Sequence, residues 1–169
     1  MEDFIFSRNI LLFALLSMLN TAVSLILPEN LFIYTKWLFK ERRWEHGGTV
    51  YQKLFNIKKW KDKLPELSDI VKRNFPKKKL PSFNVEYLKK YIVESCRSEM
   101  CHWMIVISVI VFSSWFNDDM ENFIFILAVI LNVPYIMIQR FNRPRIINVM
   151  QKNAEKEERT KLKEAEAES

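Results

Sequence analysis

At 169 residues and a net charge of +6, the chain has room for one domain, and its two glycines and six prolines exclude a collagen-like, low-complexity or loop-rich β protein. Hydrophobic residues make up 49% and charged residues 27%, and the two kinds are segregated: apolar residues gather in three blocks, with the charges between and after them. There is no Gly-rich phosphate loop, and two histidines supply neither a zinc site nor a di-iron carboxylate site, so no metal and no cofactor is expected.

The first block, residues 10–27, carries no charge. Its flank, MEDFIFSRN, is acidic rather than basic and no small-residue cleavage site follows Leu27, so it reads as a retained span rather than a signal peptide. Ser17, Asn20 or Thr21, and Ser24 form a polar stripe along it, a pattern suited to helix–helix contact. The second and third blocks, about 101–116 and 123–138, are short against the roughly 20 residues a bilayer core requires, so their polar ends must snorkel or the bilayer must thin. The rest of the molecule has too little apolar mass to cover three core helices. The expected architecture is an all-α membrane protein with three transmembrane helices, about 10–27, 101–116 and 123–138.

Residues 29–100 hold 17 Lys and Arg against 9 Asp and Glu, and the tail from Arg140 is basic too, whereas the link NDDMEN is acidic. By the positive-inside rule this predicts a multi-pass protein of the inner cell membrane, N-terminus outside and C-terminus cytoplasmic. Between the first two spans, Leu31, Tyr34 and Leu38, then Val50, Leu54 and Ile57, recur at helical spacing opposite Lys and Arg. These predict amphipathic helices lying in the interface, with Gly47 and Gly48 forming the turn between them. The proline- and lysine-rich LPELSDIVKRNFPKKKLPSFN reads as a loop, and Asn84 as the cap of a helix running unbroken into the second span. Pro134 predicts a kink in the third span, and residues 148–169 form a charged, helical C-terminal tail beyond a single 1–147 domain. Cys96 and Cys101 face a reducing compartment and are not expected to pair.

Glu99 and His102 lie three apart and so share a helix face. If the backbone turns near Asp118, His102 is 16 residues before the turn and Pro134 16 after it, which brings Gln139 and Arg140 to within about a helical turn of Glu99 in depth. Arg140, Asn142, Arg143 and Arg145 follow within six residues. An imidazole oriented by a carboxylate can take a proton from a hydroxyl, and guanidiniums can hold a phosphate or an oxyanion. The same residues could equally be anchors that snorkel at span ends. Basic residues interleaved with Trp and Phe read as lipid contacts rather than a nucleic-acid surface.

RSEMCHW, NVPYIMIQRFNRPR and KKWKDK together resemble the glycosyl-4,4'-diaponeurosporenoate acyltransferases, small bacterial membrane proteins that complete a C30 carotenoid by adding a fatty acyl group to the sugar of a glycosyl carotenoid ester. The resemblance covers roughly residues 28–147. It implies a membrane O-acyltransferase acting on a lipid-linked sugar hydroxyl with an activated acyl donor, acyl-CoA being the expected form. Matched positions are Arg97, Glu99, His102, Trp103, Asn132, Pro134, Gln139, Arg140, Asn142, Arg143, Pro144 and Arg145. Glu45, Gly48, Lys53, Phe55, Trp60, Lys61 and Lys63 match in the middle stretch. His46 departs from the pattern, which has a histidine one position later. On this reading Glu99 and His102 are catalytic, and Glu45, Trp60, Lys61, Arg97, Trp103, Gln139, Arg140, Asn142, Arg143 and Arg145 bind substrates. Another small membrane transferase or reductase, or a non-enzymatic partner of an envelope or pigment enzyme, remains open.

Overall fold

A computed structural model describes residues 2–65, 82–113 and 119–167. Most of the expected proline-rich loop, the turn near Asp118 and the end of the second apolar block lie outside the described residues. All regular structure among the described residues is helical: α1 (Glu2–Ile26), α2 (Thr49–Phe55), α3 (Val85–Ser113) and α4 (Asp119–Ala167), with single 3-10 turns at Glu29–Leu31, Arg43–Glu45, Ile57–Lys59 and Lys61–Lys63. The expected cap of α3 is present, with the backbone N–H of Tyr87 donating to Asn84 Oδ1 at 2.7 Å. α3 then runs without a break into the second apolar block, and α4 continues through Pro134, Pro144 and the charged tail.

Among the described residues two helices, not the three expected, are by themselves long and apolar enough to cross a membrane: Phe6–Ile26 of α1 and a segment within Asn122–Ala167 of α4. The apolar part of α3 starts only at Cys101, behind Arg97 and Glu99, and its described residues end at Ser113, well short of about 20. The expected amphipathic helices also need correction. Thr49–Phe55 is helical, but beyond the 3-10 turn ending at Leu31 the 31–38 stretch is turns. Leu38 O accepts from Arg140 and Phe39 O from Arg143, while the Arg42 N–H that a helix would send back to Leu38 goes to the Glu45 carboxylate. The turn at the glycines is as expected, with φ of +66° at Gly47 and +76° at Gly48.

The protein forms two compact units, to each of which α3 and α4 contribute a segment. The first comprises residues 1–33 and 96–139. Here Val109, Ile124 and Ala128 are buried against Ile10, Phe13 and Phe125. The polar stripe of α1 is helix–helix contact, as its spacing predicts: Asn20 Nδ2 donates to Ser108 Oγ at 3.1 Å, and Thr21 Oγ1 lies 3.7 Å from Cys101 Sγ. Cys96 and Cys101 are buried, and neither is in a disulfide among the described residues.

The second unit comprises residues 34–95 and 140–169. Its core is Leu88, Tyr91, Ile92 and Ile146, with Tyr34, Ile147, Val149 and Met150 packed around them. Removing such side chains from water stabilises the unit by about 1.5–3 kcal/mol each. From residue 151 the helix carries no such stripe and is almost wholly exposed.

Candidate functional site

In the first unit the imidazole of His102 is held on two sides. Its Nδ1 lies 2.9 Å from Asn132 Oδ1, and its ring stacks on Tyr135 with centroids 4.7 Å apart and planes 12° from parallel. Asn132 is buried and its Nδ2 donates to Ala128 O at 2.8 Å, which assigns Oδ1 as the acceptor. The proton of a neutral His102 therefore sits on Nδ1, and the lone pair on Nε2. A ring with fixed tautomer and fixed plane is what a general base requires. Glu99, one helical turn before it, is fully buried.

Arg97 is buried and committed to α1. Its Nη1 donates to Ser24 O at 2.5 Å and Leu27 O at 2.9 Å, with Leu25 O at 3.5 Å, and its guanidinium lies 4.4 Å from the centre of the Phe32 ring. These carbonyls are among those a helix end leaves unpaired, so the Arg97 guanidinium caps the C-terminal end of α1. Trp103 is more than a third exposed. Gln139 is buried, and its Oε1 has no hydrogen-bond donor among the described residues.

In the second unit the arginines after Gln139 are organised around Glu45, which is 1% exposed. Its carboxylate accepts from Tyr51 Oη at 2.5 Å, from Arg140 Nη1 at 2.9 and 3.1 Å, and from the backbone N–H of Arg42. Burial pushes this carboxyl upward, but the Arg42 N–H, the Tyr51 hydroxyl and the Arg140 charge outweigh it and hold the group below the usual carboxylate range. Arg143, also buried, donates to Ser95 Oγ at 3.2 Å, Ser95 O at 3.1 Å and Phe39 O at 3.0 Å. Arg145 donates back to Phe141 O and lies over the Phe141 ring, and Asn142 is half-buried. Trp60 Nε1 donates to Phe55 O at 2.9 Å, and Lys61 pairs with Asp62 at 2.7 Å. A cleft of about 440 Å³ opens in this unit, lined by Arg140 and Arg143 together with Lys40, Arg42 and Arg43.

The family model that matches describes the glycosyl-4,4'-diaponeurosporenoate acyltransferase, over residues 35–152. A protein of that name from Staphylococcus haemolyticus is 34% identical over 134 residues, covering 79% of this protein and 77% of the relative. One from Staphylococcus aureus is 30% identical over 125 residues, covering 73% and 74%. No solved structure matches. The protein belongs to the glycosyl-4,4'-diaponeurosporenoate acyltransferase family. It is therefore an acyltransferase. The span matched to this acyltransferase family takes in Glu45, Glu99, His102, Asn132 and every arginine from Arg140 to Arg145.

Three partners in these constellations were not assigned from the sequence. Asn132 stands there only as a position matched to the family, with no role, yet its Oδ1 meets His102 Nδ1. The depth count that sets Pro134 opposite His102 carried the signal, since Asn132 and Tyr135 flank that proline. Tyr51 carries no comparable signal. Its hydroxyl finds Glu45 only because the His46–Gly48 turn, with three residues at positive φ, folds the backbone onto itself.

Proposed function

We propose that the protein is a membrane O-acyltransferase that moves a fatty acyl group from an activated donor to a sugar hydroxyl of a glycosylated lipid, an acceptor of the glycosyl carotenoid ester kind. Family membership supports the chemistry. The observation that carries the assignment of residues is the His102 imidazole pinned by Asn132 and Tyr135, with its lone pair on Nε2. Nε2 takes the proton of the sugar hydroxyl as its oxygen attacks the donor carbonyl carbon. A new C–O bond forms, the carbonyl π pair moves onto oxygen, and on its return the bond to the leaving group breaks. The imidazolium gives its proton to that leaving group, so the base is regenerated. Glu99, on the same face of α3, stabilises the imidazolium, and Gln139 Oε1 accepts a hydrogen bond from the substrate.

The membrane setting rests on exposed apolar surface. Only 17% of the apolar window of α1 and 28% of that of α4 is covered by the protein itself, unlike the core helices of a soluble protein. Met18 and Leu19 of α1, Ile126 and Ile130 of α4, and Ile107 and Val111 of α3 all stand exposed, so the apolar half of α3 enters the bilayer beside the other two. The charge distribution then sets the N-terminus outside and the basic 29–100 stretch and tail on the cytoplasmic side. Trp37, Trp44, Leu54 and Phe55, exposed among lysines, lie at headgroup depth.

An acyl-transfer assay in membranes tests the roles. His102→Ala should lower kcat about 10²- to 10⁴-fold at unchanged protein level. Asn132→Leu should lower it less, because it frees the tautomer while leaving the imidazole in place. Full activity in both variants would remove the imidazole from the mechanism.

A further inference from the structure

The cleft of the second unit carries more positive charge than its own structure uses. Five cations line it against two carboxylates. Both carboxylates are engaged, Glu45 as described and Glu41 by the backbone N–H of Gly47 at 2.5 Å. Arg140 and Arg143 are held from behind by carbonyls. Arg42 is set in place too, donating to Trp37 O at 2.7 Å with its guanidinium 4.7 Å from the centre of the Trp37 ring. Lys40 and Arg43 have no side-chain hydrogen bond or ion pair among the described residues, although both line the same cleft. The turn at Phe39 and Lys40, closed by the Lys40 N–H donating to Lys36 O at 2.8 Å, fixes where Lys40 leaves the backbone.

Two further properties narrow the ligand. Tyr34, Pro144 and Ile147 give the cleft an apolar wall, so its occupant has a flat or apolar body as well as charge. A volume of about 440 Å³ far exceeds one phosphate, and so many cations match several phosphates borne by one molecule. A single lipid headgroup phosphate would leave most of that charge unanswered.

We propose that this cleft holds the phosphate-bearing nucleotide end of the acyl donor, which is therefore a coenzyme A thioester rather than an acyl group on a carrier protein. The proposal rests on the acyl-transfer reading above and adds to it the site that anchors the donor. Lys40, Arg42 and Arg43 bind the pyrophosphate and ribose phosphate, and the adenine lies on the apolar wall. In the transfer step the acyl C–S bond breaks and coenzyme A leaves as its thiol. Its phosphates are remote from that bond, so binding can be read without chemistry.

The test uses the full-length protein in lipid nanodiscs and coenzyme A itself as the probe, by calorimetric titration. Wild type should bind it, and dephospho-coenzyme A more weakly. Lys40→Ala/Arg43→Ala should bind coenzyme A roughly tenfold or more weakly. In turnover the same variant should raise KM for the acyl donor more than it lowers kcat. His102→Ala should bind coenzyme A as wild type does while its acyl transfer falls about 10²- to 10⁴-fold. Binding with these dependences but no acyl transfer to any glycolipid would support the site and refute the transfer reading. Equal coenzyme A affinity in wild type and the double variant would overturn the proposal. So would loss in the double variant of binding to phosphatidylglycerol vesicles alone, which would make the cleft a headgroup clamp, or activity with acyl carrier protein thioesters only.

Discussion

Arg140→Ala strands a buried carboxylate. Glu45 is 1% exposed and its oxygens accept from the Arg42 N–H, the Tyr51 hydroxyl and twice from Arg140. Losing Arg140 removes the one full positive charge from that set and leaves Leu38 O without its donor. Breaking a buried pair by deleting one partner costs about 3–5 kcal/mol, a large share of the 5–15 kcal/mol that holds a typical domain folded. Glu45→Gln keeps an oxygen for Tyr51 and removes the charge, so it should cost less, about 1.5–3 kcal/mol. The double variant Glu45→Gln/Arg140→Ala should be more stable than Arg140→Ala alone, because no buried charge is then left without its counter-charge. Reversible urea unfolding of the purified protein in micelles, followed by Trp fluorescence, gives all three values. The pH dependence has a definite sign. The folded carboxyl lies below its unfolded value, near 4.3 for an ordinary glutamate, so its stabilisation is full above about pH 4.3 and is lost as pH falls through the folded value. Glu45→Gln should flatten that acid loss. A cost for Arg140→Ala below about 1 kcal/mol, or additive effects in the double variant, would refute the reasoning.

Gly48→Ala should destabilise by about 1–3 kcal/mol, because φ is +76° and a Cβ would lie 3.0 Å from the backbone of Phe141 and from Arg145 Nη1. Gly47→Ala, also at positive φ but with nothing within 4 Å, should cost less; equal unfolding midpoints would contradict the close approach. Arg97→Leu should leave the carbonyls of Ser24 and Leu27 without their buried donor and cost about 1–3 kcal/mol. Faster amide hydrogen exchange at the C-terminal end of α1 should accompany it, and Arg97→Lys should restore little, since an ammonium lacks the forked geometry.

The arginines explain why part of this protein was legible in the sequence and part was not. Their clustering after Gln139 is visible in a string, and so is the inference that they serve anions or anchors. Arg97 and Arg143 instead hold carbonyls more than 40 residues away in sequence, at Ser24 and Phe39. The expected helix over 31–38 is turns instead. Its apolar spacing is genuine, and at its end the carbonyls of Leu38 and Phe39 accept from distant guanidiniums. Hydrophobic period reports which residues avoid water, and not which carbonyls a distant cation takes.

Patterns carried within one segment followed from the amino-acid order alone: the apolar length of α1, the Asn84 cap of α3, the glycine turn, the polar stripe that meets Ser108 and Cys101, and the resemblance that led to the family. These depend on neighbours a few residues apart, where spacing is geometry. Tertiary structure decided that Asn132 meets the His102 ring, that Glu45 and Arg140 form a buried pair across 95 positions, and that Lys40, Arg42 and Arg43 join the later arginines around one cleft. Such contacts are chosen by which side chains the fold leaves without water, and that choice exists only once distant segments have packed.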